Sequence, residues 1–346
     1  MKIVVFEAEG REAAVFSRIR LPNEVKLVTD PLRNDNASLH ANAEVISTFI
    51  YSKLGRDELV QLPRLKMIAT RSTGYDHIDV AYCRERSITI CNVPTYGENT
   101  VAEHVFALLL AISHRLPEAI QRARTGPFSP DGLQGFDLAG KTLGVIGTGS
   151  IGRHVIHIAK GFAMDVVAFD VKPDVQMAAT LGFRYLAFDR LLEIADVISL
   201  HVPATKESKN ILSTRAFGLM KMGVVIINTA RGSLVDSRAL IQALRSERVA
   251  AAGLDVLPDE PLIREEAELI CSSYLNQHDL KSLVADHVLL HMPNVIVTPH
   301  SAFNTQEAVQ RIVETTVENI EAFLEGQLQN VVGRTLPQPQ AASVLA

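Results

Sequence analysis

Lys141-Thr142-Leu143-Gly144-Val145-Ile146-Gly147-Thr148-Gly149-Ser150-Ile151-Gly152 is the stretch whose reading decides the fold. An apolar, β-branched run enters Gly-x-Gly-x-x-Gly, and His154 to Phe162 continue with helical spacing, so the segment reads as strand, glycine turn, helix. Gly147 and Gly149 let the backbone turn tightly and approach a pyrophosphate. Gly152 lets helix and strand pack closely, and the helix start at Thr148, Ser150 and Ile151 offers N–H groups to phosphate. The next strand, Asp165 to Asp170, ends in an acid at the distance where dinucleotide-binding folds carry their ribose ligand. Asp170 is placed to accept hydrogen bonds from a ribose 2′,3′-diol and to repel a 2′-phosphate, which points to NAD rather than NADP.

Outward from this unit, strand-like runs recur toward the C-terminus at Tyr185 to Phe188, Asp196 to Val202, Val224 to Thr229, Ala250 to Val256 and Val295 to Thr298. Two of the turns that follow them, His201-Val202-Pro203 and Thr229-Ala230-Arg231-Gly232, are expected to face the cofactor, as is Asp255. Toward the N-terminus, Ile3 to Phe6, Val25 to Val28, Ala43 to Ser47, Leu65 to Thr70 and Thr89 to Val93 read as buried parallel strands, so the first part of the chain is itself α/β. Arg71-Ser72-Thr73-Gly74 lies at one strand end, where open α/β sheets bind ligands, and its backbone N–H groups suit a carboxylate. Asn92 to Thr100 reads as a domain crossover into a helix capped by Asn99 or Thr100. Glu103 and His104, early in that helix, read as packing residues. Thr305 to Leu324 has helical spacing with one apolar face. The tail at 334–346, rich in proline, glutamine and alanine, reads as disordered.

Composition narrows the function classes. At 346 residues the chain suggests two domains, and 47% hydrophobic with 21% charged residues is ordinary for a soluble globular protein. A net charge of −5 without a long basic run argues against nucleic acid as a partner. The longest apolar run, Val105 to Ile112, is far short of the roughly 20 residues of a membrane span. Three cysteines in no metal-binding spacing fit a reducing cytoplasm. His287 and His291 have a spacing that could share a helix face, but no third ligand accompanies them, so no metal is expected.

Hydride transfer to a carbonyl needs a substrate anchor, a proton donor and control of that donor's pKa. Arg231 offers a planar fork for a carboxylate, His300 ends a strand where it can donate a proton at neutral pH, and Glu260 is a carboxylate suited to hold the imidazole tautomer and raise its pKa. Taken in order, the glycine turn with Asp170, Asn228 to Gly232, Gly253-Leu254-Asp255-Val256 with Glu260-Pro261, and Thr298-Pro299-His300 resemble the NAD-dependent D-isomer-specific 2-hydroxyacid dehydrogenases over nearly the whole chain.

That resemblance implies an α/β protein of two Rossmann-like, doubly wound parallel-sheet domains, the NAD domain inserted into a split substrate domain. The expected boundaries are 1–100 with 300–333 for the substrate domain and 101–299 for the NAD domain. It also implies catalysis by Arg231, Glu260 and His300, substrate binding by Thr73 and Gly74 in a cleft between domains, and a homodimer. Tyr96 and Phe303 resemble the D-lactate dehydrogenase branch, in which an aromatic pair lines a small pocket suited to pyruvate. Leu257 and Asn304 depart from that pattern and leave bulkier 2-oxo acids open. The alternative in another class is an NAD(H)-sensing, corepressor-like binding protein on the same fold.

Overall fold

The structure, a computed structural model, describes residues 1–8, 10, 12–19, 23–258 and 280–333, with no side chains described at 280–283. Glu260 and the 334–346 tail lie outside the described residues. The chain divides into two compact units, one made of Met1–Tyr96 with the segment from Thr305 onward, the other of Gly97–Asn304.

In the first unit, strands β1 (Lys2–Val5), β2 (Glu24–Leu27), β3 (Val45–Thr48), β4 (Met67–Thr70) and β5 (Thr89–Cys91) are parallel. Short helices α1 (Ala13–Phe16), α2 (Arg56–Leu59) and α3 (Val80–Glu85) lie between them in sequence. In the second, α4 (Glu98–Ser113) and α5 (Leu116–Thr125) precede the seven parallel strands β6 (Thr142–Ile146), β7 (Asp165–Phe169), β8 (Arg184–Tyr185), β9 (Val197–Leu200), β10 (Val224–Asn228), β11 (Val249–Leu254) and β12 (Val295–Val297). Its other α-helices among the described residues are α6 (Ser150–Gly161), α7 (Val175–Leu181), α8 (Phe188–Ile194), α9 (Thr214–Leu219), α10 (Ser237–Arg245) and α11 (Leu280–His291). The chain then returns to the first unit with α12 (Gln306–Leu324) and β13 (Val331–Val332), the latter antiparallel to β5.

The two sheets share a plan. Their orders are β13-β5-β4-β3-β1-β2 and β12-β11-β10-β9-β6-β7-β8, so each winds outward from its first strand and then reverses past it. Apolar side chains fill both faces. In the first unit Ile3, Val5, Val45 and Met67 pack with Phe16 of α1 and Val313, Val317 and Ile320 of α12, while Val4, Ile46, Ile68 and Ile90 pack on the opposite face with Leu59 and Tyr82. In the second, Leu143, Val145, Val225 and Ile227 meet α4 and α6, and Ile146, Val224 and Ile226 meet the side of α8 to α10. Burial on both faces is why these strands read as continuous apolar runs rather than as alternation.

Three expectations need correction. β2 is not a buried strand: as the edge of its sheet it pairs only with β1, and Glu24, Lys26 and Leu27 are exposed. Neither Asn99 nor Thr100 caps α4; the N-cap is Gly97 with no side-chain bond, and Asn99 Nδ2 instead donates to Glu103 Oε1 at 3.2 Å. The run at Tyr185 to Phe188 is strand only through Tyr185, because Phe188 opens α8. The helix after residue 305 is as expected, with Thr305 accepting the Ala308 N–H as its cap.

Candidate active site

All seven strands of the second unit run the same way, so the loops after them stand side by side on one carboxyl edge. The strand order reverses between β6 and β9, the position where α/β sheets open a crevice. Gly147 lies there with φ +97°. A Cβ on it would sit 2.6 Å from the His201 carbonyl oxygen, and one on Gly152 would sit 2.1 Å from the Gly147 oxygen, so close approach alone requires both glycines. Gly149 differs: nothing lies within 4 Å of its Cβ position, and it begins α6 with no side-chain cap. The start of α6, at Ser150 and Ile151, therefore keeps uncapped N–H groups beside open backbone, which is what a pyrophosphate uses.

Asp170, after β7, accepts the N–H groups of Thr148 at 2.7 Å and Lys172 at 2.9 Å. Burial works against its charge, but these bonds win and hold the carboxyl below its ordinary value. Thr148 thus clamps the acid with its N–H and its hydroxyl. On the β9 loop, His201 Nε2 pairs with Ser199 Oγ at 2.8 Å, and burial pushes its imidazole down to about 3, so it is neutral at pH 7. Val202 and Ala230 pack against the core below, and Pro203 is exposed. Thr229 Oγ1 is buried without a hydrogen-bond partner among the described residues, a polar orphan on the same edge. Glycine cradle, uncapped helix, ionised acid and orphaned hydroxyl together fit a dinucleotide with an unphosphorylated ribose.

Beyond β9, the strands β10, β11 and β12 carry the remaining candidates. After β10, the buried Asn228 staples its own turn: Oδ1 accepts from Ala230 N at 3.1 Å and Nδ2 donates to the Arg231 carbonyl at 2.9 Å. Arg231 Nη1 donates to the Ala230 oxygen at 2.7 Å. Gly232 is pressed on the backbone of Leu257 and Pro258, where a Cβ would lie 2.1 Å from the Leu257 carbonyl carbon.

After β11 comes Asp255, whose side chain has no exposed surface. Its Oδ1 accepts from Thr298 Oγ1 at 2.5 Å and Ser301 N at 2.9 Å, and its Oδ2 from Ala302 N at 2.9 Å. Burial opposes ionisation here too, and His104, Thr298, Ala302 and Ser301 outweigh it by hydrogen bonding, leaving the carboxyl below its ordinary value. After β12, His300 adopts φ +51°, with its N–H directed to the carbonyls of Asp255 and Thr298. The left-handed turn that presents the imidazole is thus tied down on both sides by Asp255.

His104 of α4, read from the sequence as a packing residue, joins this cluster. Its Nε2 lies 3.0 Å from Thr298 Oγ1 and 3.5 Å from Asp255 Oδ1. Since the Thr298 hydroxyl proton goes to Asp255, Nε2 must carry a proton and donate. The His287 and His291 rings lie 4.5 Å apart on α11, tilted by 40°, and among the described residues no group of three potential ligands could hold a metal.

In the first unit, the Arg71 to Gly74 loop follows β4. Thr73 Oγ1 donates to the Val93 carbonyl at 2.8 Å, and Asn92 Nδ2 donates to the Thr73 carbonyl at 2.8 Å. Tyr96 ends the first segment of this unit, its carbonyl accepting from Arg311 Nε at 2.6 Å. Phe303 lies in the second unit, three residues beyond His300.

Residues 106–302 match the family model described as D-isomer specific 2-hydroxyacid dehydrogenase, NAD binding domain. The D-lactate dehydrogenase of Escherichia coli is 37% identical over 332 residues, which cover 94% of this chain and 98% of that protein. The chain belongs to the D-isomer-specific 2-hydroxyacid dehydrogenase family. It is an NAD-dependent oxidoreductase acting on a small-molecule 2-hydroxy or 2-oxo acid. The crystal structure of D-lactate dehydrogenase from Aquifex aeolicus, complexed with NAD and lactic acid, superposes with a TM-score of 0.86 at 34% identity, covering 96% of this chain and all of that one. Members of the family differ in substrate: a glycerate dehydrogenase of Methylorubrum extorquens is also 33% identical over 96% of this chain and 98% of its own length. No helix among the described residues is long and apolar enough to cross a membrane.

Proposed function

We propose that this dehydrogenase reversibly reduces pyruvate to the D-2-hydroxy acid. The observation that carries the reading is the alignment of Arg231, Asp255 and His300 behind three adjacent strands, on the same edge as the glycine turn and Asp170. NADH supplies the hydride when bound. The Arg231 guanidinium holds the substrate carboxylate in its planar fork and polarises the carbonyl, assisted by the Thr73 and Gly74 N–H groups. His300 donates a proton to the carbonyl oxygen as negative charge develops there. Glu260, the carboxylate assigned to this step from the sequence, lies outside the described residues. The resemblance of Tyr96 and Phe303 to the D-lactate dehydrogenase pair supports pyruvate, while Leu257 and Asn304 depart from that pattern and keep a bulkier 2-oxo acid as the alternative.

The protein works as a cytoplasmic homodimer in this reading. α5 contributes no buried residue, Leu116 and Ile120 are 43% and 49% exposed, and Phe128 just beyond it is 95% exposed. Such a clustered apolar surface is what a subunit contact covers. Phe128→Asp would shift the species seen by sedimentation from dimer to monomer.

Pyruvate, 2-oxobutyrate, phenylpyruvate, hydroxypyruvate and glyoxylate assayed with NADH test the substrate directly. Pyruvate is expected to give the highest kcat/KM, with a D product. Preference for glyoxylate or hydroxypyruvate would contradict the substrate, and tight NADH binding without turnover of any of them would favour a sensor.

A further inference from the structure

We infer that Asn92 and Asn319 are positioning residues for substrate binding, holding the Thr73–Gly74 peptide so that its N–H presents to the substrate carboxylate. The inference rests on the proposed role of that loop. Asn92, after β5, and Asn319, on α12, are 6% and 1% exposed. Asn319 Nδ2 donates to the Asn92 carbonyl at 2.9 Å, and Asn92 Nδ2 donates to the Thr73 carbonyl at 2.8 Å. Asn330 closes the chain from behind: its Nδ2 donates to Asn319 Oδ1 at 2.8 Å, and its carbonyl accepts the Asn92 N–H at 3.1 Å.

Peptide geometry gives this network its consequence. In a trans peptide the carbonyl and the following N–H point in opposite directions. A donor fixed on the Thr73 oxygen therefore turns the Gly74 N–H away from Asn92. Val93 N–H donating to the Ser72 carbonyl at 3.0 Å and Thr73 Oγ1 donating to the Val93 carbonyl at 2.8 Å prevent the loop from rotating as a whole. Among the described residues, neither the Thr73 nor the Gly74 N–H donates to a protein acceptor, although Gly74 is half-buried. Two amides on a braced strand-end loop, with no acceptor among the described residues, suit an anion.

The position of Asn319 argues against packing as its whole purpose. The buried face of α12 is otherwise largely apolar, with Ile312, Val313, Val317 and Ile320, and an amide there is costly unless every bond is made. Leucine would serve the core. The amide serves a loop far away in sequence, and it does so only because the chain returns to this unit after residue 305.

Asn92→Asp keeps the shape, removes the donor and places a negative charge against the Thr73 oxygen. Asn319→Leu removes the support behind it. In both, KM for pyruvate and Ki for oxamate, an unreactive carboxylate analogue, are expected to rise about 10- to 100-fold, while KM for NADH stays at its parental value. Because both act through one peptide, the double variant is expected to be no worse than Asn92→Asp alone. If Asn92→Asp fails to fold, Asn319→Leu decides by the same constants. Parental pyruvate KM and oxamate Ki in these variants, alongside raised values in Gly74→Pro, which deletes the N–H, would overturn the positioning role and leave the loop's role standing. Unchanged values in Gly74→Pro would overturn the loop's role itself. An equal rise in the NADH and pyruvate KM would contradict the inference as well, because a positioned carboxylate site affects only one of them.

Discussion

The first strand of each sheet ends at the same point of the same winding, and the two ends are built in opposite ways. After β6 come Gly147, Gly149 and Gly152, then the 12-residue helix α6 with an uncapped start. After β1 comes Glu7, at φ +53°, and the next helix, α1, has 4 residues. The crevice-forming position there is occupied from within. Arg71 Nη2 donates to the carbonyls of Phe6 and Glu7 at 2.8 Å each, its Nη1 reaches Ser47 Oγ at 3.2 Å, and the Glu7 carboxylate takes the Phe49 N–H and the Ser52 hydroxyl. The winding makes a crevice possible, and the residues after the first strand decide whether a dinucleotide or the protein's own side chains fill it.

Removing the internal plug tests this most strongly. Arg71→Met leaves buried carbonyls and the Glu7 and Glu12 carboxylates without their cation, which typically costs about 3–5 kcal/mol. Urea unfolding is expected to show the loss, with NADH binding to the folded protein unaltered. A midpoint near the parental one would mean that the plug is not structural.

Filling the open end comes next. Gly147→Val forces a β-branched residue to φ +97° against the His201 carbonyl, and NADH affinity measured by fluorescence titration is expected to fall about 30-fold or more, from strain of about 2 kcal/mol. Asp170→Ala removes the ribose acid and is expected to raise KM for NADH about tenfold while improving use of NADPH. A parent enzyme that already preferred NADPH would contradict the reading of this edge.

The smallest effect concerns pH and has opposite signs in the two units. Glu7 is raised above its ordinary value, chiefly by burial and despite Arg71. Its folded pKa exceeds its unfolded one, so the stability it contributes is complete below the unfolded value near 4.5 and is lost as pH rises through the folded value. Asp255 is lowered, so its contribution is present above 3.8 and is lost as pH falls through its folded value. In Tm profiles, the advantage of Glu7→Gln over the parent is expected to grow from pH 4 toward neutrality. The advantage of the parent over Asp255→Asn is expected to shrink as pH drops below 4. Parallel profiles would remove the contrast.

Local pattern exposed much of the open edge and little of the filled one. The glycine turn, Asp170, Arg231 and His300 lie in or just beyond apolar strands, and strand order then brings them together. The interactions that brace them cross long stretches of chain. His104 meets Thr298 across 194 positions, and Asn319 meets Asn92 across 227. Neither periodicity nor spacing carries such pairs. The sequence places Arg71 only at a strand end, and its 2% exposure shows it to be a plug. The misplaced cap at Asn99 has a local cause: α4 begins at Glu98 behind Gly97, so Asn99 already lies inside the first turn, where its amide donates to Glu103.

In the proposed reduction His300 delivers the proton to the carbonyl oxygen. Pyruvate reduction by NADH in His300→Ala, measured beside NADH affinity in the same variant, tests it most directly. The variant's kcat is expected to be lower by about 100- to 10,000-fold, with NADH binding retained. Near-parental turnover of pyruvate by the variant would contradict it.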